Sequence, residues 1–173
     1  MKKLTLENAK EYALEKFKAL PELESQWNYL HSEAIIEVLK VLISDASVDK
    51  EKLFALAWVH DIGKIKSEEN HAQIGAEILK KEFELGEIEL DCILNHSSSF
   101  KPKTKEGDMF HYADGLSLFL PESINFMFSI GAKEGKSFEK IKEEIKSFYD
   151  KYRIKYSESK EATKLLDKLF KKC

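Results

Sequence analysis

Residues Ala57–Lys64 read AWVHDIGK, and the reading of this octet decides the fold. It closes an apolar run, Leu53-Phe54-Ala55-Leu56-Ala57-Trp58-Val59, with a histidine and an aspartate side by side, and then meets Gly63. A run that apolar belongs to a buried helix. An unpaired ionised group at its end costs on the order of several kcal/mol in lost hydration. Some partner must offset that cost. Gly63 is expected to end the helix as a left-handed C-terminal cap.

Working outward, apolar residues recur three and four apart through most of the 173 residues, with only seven glycines and three prolines to interrupt them. The pattern predicts an all-α single domain, a compact bundle of about eight helices. The expected helices begin with Leu6 to Leu20, stopped at Pro21, then Trp27 to Ile43 and Lys50 to His60. A fourth, N-capped by Ser67 with Glu68 and Glu69 in its first turn, runs to Phe83. Glu87 to His96 follows, then the polar loop SSSFKPKTKEGD. Helices over Asp108 to Leu118, Pro121 to Ala132 and Lys136 to Tyr152 come next, and a last amphipathic helix follows Ser157. The N-terminal helix and the charge-rich helices over 136–173 are expected to pack on the helices between them.

A net charge of −3 offers no basic field for nucleic acid. No apolar stretch reaches the ~20 residues that a membrane helix needs. The N-terminus MKKLTLENAK lacks the apolar segment of a signal peptide, and two cysteines, Cys92 and Cys173, make no framework. A cytoplasmic chain is the expectation.

The polar residues on the inner faces carry the chemistry. His31 lies on the stripe of Trp27 and Ala34, and His60 follows Leu56 and Ala57. His71 precedes Ile74 and Gly75, His96 follows Cys92 and Ile93, and Asp114 follows Phe110. One histidine on an apolar face is ordinarily a hydrogen-bonded core residue. Here the pattern recurs on every central helix and uses only imidazole and carboxylate. That donor set is what a divalent metal needs, and the ion would offset the buried charge of Asp61.

His31, then His60-Asp61 in HDIGK, then Asp114 in YADGLS together resemble the His…His-Asp…Asp signature of the HD-domain metal-dependent phosphohydrolases, of HDIG type. The resemblance implies an all-helical core over about residues 27–127, in which His31, His60, Asp61 and Asp114 bind a divalent transition metal (Fe, Mn, Co, Ni or Zn). His71 and His96 fall where dinuclear members place ligands for a second ion, with Asp61 bridging. One bacterial branch of this kind uses two irons to hydrolyse diadenosine polyphosphates. The same two histidines also suit a shell that contacts phosphate around a single ion, so one ion or two stays open. After His96 the sequence SSSFKPK departs from the cyclic-di-GMP phosphodiesterase branch, which would continue with a second histidine and a Gly-Tyr-Pro element.

The implied activity is hydrolysis of a phosphate ester or anhydride, in a nucleotide or similar small molecule, by a metal-activated water. Asp61 would hold the ions and orient the water, and Lys64 would meet the substrate phosphate. The alternative is a nucleotide- or metal-binding regulatory module of the same fold with weak turnover. Lys101, Lys103 and Lys105 sit in a mobile-looking loop that would either steer an anionic substrate or simply be solvated. His111, three residues before Asp114 on a neighbouring flank of the same helix, is expected at the surface or an interface, the alternative being a place behind the ligands. The stripe of the C-terminal helices offers a surface for a homodimer. One phosphate-binding pattern is set aside: in SIGAKEGKS (Ser129–Ser137) only three residues separate Gly131 from Gly135, where a P-loop needs four, so a helix–helix turn is expected.

Overall fold

The computed structural model describes residues 1–44, 47–96 and 101–171. The chain is all-α, as the periodicity predicts. Contacts divide it into two compact units, Met1–Asp114 and Gly115–Cys173.

The first unit starts with α1 (Leu6–Phe17), α2 (Glu22–Leu42) and α3 (Lys50–Val59). Thr5 and Asn8 form a capping box at the start of α1, and Asp49 caps α3 by accepting the Lys52 N–H at 3.1 Å. The helix α3 is the axis of the unit: Leu53 and Ala55 to Val59 are all buried, with α1 and α2 packed against it. A helix that is apolar all round belongs in the middle of a core. Next come a 3-10 turn over Ile62–Ile65, α4 (His71–Glu82), α5 (Glu87–Asn95), which also packs on α3, and α6 (Lys105–Ser117).

Several expectations are corrected here. α1 stops at Phe17 and α2 begins at Glu22, directly after Pro21. Two strands, β1 (Lys2–Lys3) and β2 (Phe83–Glu84), form a short parallel pair that periodicity did not signal. Gly63 is no left-handed cap: among the described residues Gly135 is the one glycine with a positive φ, of 76°. Gly63 sits inside the 3-10 turn because α4 crosses it there. A Cβ on Gly63 would overlap the His71 carbonyl and lie 2.7 Å from the Gly75 nitrogen, and backbone cannot move aside. Ser67 does not cap α4 either. The helix starts four residues later, at His71, because residues up to Ser67 close the turn, whose last bond runs from the Ser67 N–H to Gly63 at 3.1 Å. Glu68 and Glu69 therefore precede the helix.

The second unit contains α7 (Pro121–Lys133), α8 (Phe138–Lys155) and α9 (Lys160–Phe170), which bring the helices to nine among the described residues. α8 packs on α7 and α9 through a narrow stripe, with Ile141, Ile145, Ala162 and Leu166 buried. The Gly-Lys-Ser of the rejected phosphate pattern is a helix stop and start. Gly135 donates to Ala132 at 3.0 Å, Lys136 donates to Gly131 at 2.9 Å, and the Ser137 hydroxyl accepts the Lys140 N–H at 3.2 Å. Among the described residues no helix is long and apolar enough to cross a membrane.

Candidate metal centre

Within the first unit, α2, the end of α3, α4, α5 and α6 turn their polar residues to one point. His31 comes from α2, His60 and Asp61 from the end of α3, His71 from the first turn of α4, His96 from the end of α5 and Asp114 from α6. The structure brings all six, and Lys64, into one cluster.

Three of the histidines are held the same way. His60 Nδ1 meets the Ala57 carbonyl at 3.0 Å, His71 Nδ1 the Glu68 carbonyl at 2.6 Å, and His96 Nδ1 the Ile93 carbonyl at 2.7 Å. A carbonyl only accepts, so each Nδ1 donates its hydrogen there, and Nε2 is the ring atom turned to the centre. His31 is steadied by Trp27, whose ring stacks on it at 5.5 Å and 9°. Phe110, one turn before Asp114, packs edge-on against His60 at 5.5 Å.

The Nε2 atoms face two carboxylates. Asp61 Oδ1 lies 3.4 Å from His71 Nε2 and 3.4 Å from His96 Nε2. Asp61 Oδ2 lies 3.3 Å from His60 Nε2 and 3.9 Å from His31 Nε2. Asp114 Oδ1 is 3.0 Å from His31 Nε2 and 3.8 Å from His60 Nε2. The Nε2 atoms of His71 and His96 are only 3.0 Å apart, a distance at which two lone pairs repel unless a proton or a cation lies between them. The Lys64 ammonium touches Asp61 Oδ2 at 2.8 Å and lies 3.6 Å from Glu68 Oε1.

Electrostatics follow from burial. Burial would raise the Asp61 carboxyl, but the His60 ring, His96 and the Lys64 ammonium outweigh it and hold the group well below the usual carboxylate range. The same opposition, with His31 as main partner, depresses Asp114. Burial pushes His60 down, so that it stays neutral, only partly countered by Asp61. For His96 and Lys64 burial is overcome, chiefly by Asp61, and both are raised.

The group fits a divalent metal on three counts. The donors are nitrogen and carboxylate oxygen, all but the half-buried His71 fully inside the core. Two sets gather their donor atoms within 4.8 Å: His31, His60 and Asp114, and His60, Asp61 and His96. Three buried side-chain atoms among the described residues lack a hydrogen-bond partner, and two of them, His60 Nε2 and Asp61 Oδ1, fall here. The third, Asn28 Oδ1, is on α2 one turn before His31.

His111 is not at the surface. It is buried, and its Nδ1 donates to the Asn95 carbonyl at 3.1 Å. Sequence reasoning also missed Asp91, which accepts from the Lys103 and Thr104 N–H groups at 2.9 and 2.8 Å, the Thr104 hydroxyl at 2.7 Å and Asn95 Nδ2 at 2.7 Å. The i, i+4 spacing of Asp91 and Asn95 was the one available signal. This anchoring corrects the mobile-looking loop in its described part, because the main chain at 103–104 is pinned and Lys105 already lies in α6. Residues 97–100 of that loop, and Cys173, lie outside the described residues.

No curated protein and no solved structure matches the chain. A family model does: the HD domain matches residues 28–118, over half of the chain, and spans every residue of the cluster. With the ordered histidines and aspartates gathered in a helical core, the chain belongs to the HD-domain family, whose members are for the most part metal-dependent hydrolases.

Proposed function

We propose that this protein is a phosphohydrolase with two divalent transition ions, acting on a phosphate ester or anhydride of a nucleotide or similar small molecule. The observation that carries the reading is the division of Asp61. One carboxylate oxygen faces His71 and His96, and the other faces His60 and His31, where Asp114 adds a second carboxylate. His31, His60, Asp61 and Asp114 would hold one ion; His71, His96 and Asp61 would hold the other. So held, ions would supply a water of lowered pKa and positive charge for the phosphoryl oxygens.

The residues of the chain do the rest. The three histidines whose Nδ1–H is spent on a backbone carbonyl cannot turn, so their lone pairs are pre-aligned. Asp61 and Asp114 are held ionised by their surroundings and accept a proton's hydrogen bond from the attacking water, orienting it. Lys64, its side chain 20% exposed against 5% for Asp61, stands at the outer edge of the cluster. Its ammonium stays charged and pairs with a phosphate oxygen.

Metal analysis of protein purified without added metal tests this first. Two ions per chain are expected, and loss of both with activity in Asp61→Ala; a variant that kept its full metal content would overturn the assignment. Assays then follow on p-nitrophenyl phosphate, nucleoside monophosphates, dinucleoside polyphosphates and cyclic nucleotides. Nucleotide binding without turnover on the metal-loaded protein would identify a regulatory module instead.

A further inference from the structure

His111 takes no part in the chemistry above, yet it is buried beside the centre. Its partner, the Asn95 carbonyl, belongs to the last residue of α5, immediately before His96. Carbonyls in the last turn of a helix have no partner within it. His111 itself lies one turn before Asp114 on α6. This hydrogen bond therefore joins the two helices that carry ligands of different ions, next to His96 and one turn from Asp114.

Asn95 is gripped from its other side too. Its Nδ2 donates to Asp91 Oδ1 at 2.7 Å, and the same carboxylate fixes the entry to α6 through Lys103 and Thr104. The fit is tight: a Cβ on Gly107, in the first turn of α6, would meet Asp91 Cγ at 3.0 Å. Asp91 thus sets the start of α6 against α5, and His111 sets the next turn of α6 against the end of α5. His111 thereby fixes the residue next to a ligand.

We propose that His111 is a positioning residue: by donating Nδ1–H to Asn95 it sets His96 against Asp114 and so tunes the ion held by His71 and His96. The inference rests on the two-ion reading. Hydrogen bonds that orient a metal ligand are worth about 10–100-fold in metal affinity.

The test is calorimetric titration of the chelator-treated full chain with Co2+, together with the visible spectrum of the Co2+-loaded protein. The wild type should show two binding events. His111→Phe should weaken one of them about 10–100-fold, leave the other within about threefold, and change the Co2+ spectrum. His111→Asn, which keeps a donor near the position of Nδ1, should restore both affinities. His111→Gln, whose donor is one bond too far, should fold and still bind weakly, which covers a failure of the Phe variant to fold. Two unaltered binding events in the Phe and Gln variants would overturn the positioning role alone. So would an equal weakening of both events, or an Asn variant no better than Gln. A wild type that takes up no Co2+ would overturn the two-ion reading, and the positioning role with it.

Discussion

Asp61 is where a single residue decides most. A carboxylate buried to 5% exposure needs countercharge: its Oδ1, without a hydrogen bond, is left for the proposed ion beside His71 and His96, and its Oδ2 meets an imidazole and an ammonium. Lys64 shares that oxygen, so its charge is part of the centre even before substrate arrives. If its ammonium meets phosphate, Lys64→Met should lower kcat/KM about 100-fold and leave two ions bound. Steady-state kinetics with metal analysis on one preparation would check this, and unchanged kcat/KM would remove Lys64 from the mechanism. His111 teaches the complementary lesson. Its spacing of three from Asp114 put it on a flank of the helix, and only the neighbouring end of α5 shows that this flank is covered.

Between elements, two devices hold the ligands in register. The 3-10 turn lies against α4 so closely that Gly63 has no room for a side chain, which fixes Asp61 relative to His71. Asp91 ties α5 to the start of α6 with a carboxylate that accepts four groups. Burial alone would raise that carboxyl, but its bonds to Thr104, Asn95 and the Lys103 N–H hold it below the usual value of 3.8. A depressed carboxyl stabilises the folded state in full above its unfolded pKa, and the contribution is lost as pH falls through the lower, folded one. Asp91→Asn should therefore cost about 2–3 kcal/mol at pH 7, and the gap to the wild type should narrow as pH falls below 3.8. Urea midpoints at pH 7 and in acid give the answer; a gap that does not change with pH would mean that the charge of Asp91 is not what holds α6.

At the scale of the whole molecule, a centre fed by five helices makes metal and stability one quantity. At a free ion concentration about a thousand times Kd, bound metal adds about 4 kcal/mol, so chelation should lower Tm by about 10 °C. Calorimetric melts before and after chelation and after adding metal back would show it, and an unmoved Tm would argue against ions within this core. The all-α class, the order of the helices and the six ligand-type residues were legible in the sequence. So was the helix–helix turn at Gly135. Each is written in a local period of three and four, or in a local stop and start, and solvent sorts apolar from polar faces in the same way wherever the helix ends up. Legibility failed where segments distant in the chain meet. Gly63 read as a cap until α4 crossed it, the short parallel strands join Lys2 to Phe83, and His111 read as exposed. By itself, then, the sequence determined that His31, His60, Asp61, His71, His96 and Asp114 lie on inner faces and that imidazole and carboxylate dominate among the ionisable groups there. The tertiary structure alone decided that the two oxygens of Asp61 face different histidines and that His111 holds the end of α5. Those facts depend on contacts such as Asp61 with His96 and Asn95 with His111, the latter 16 positions apart, which no local pattern encodes.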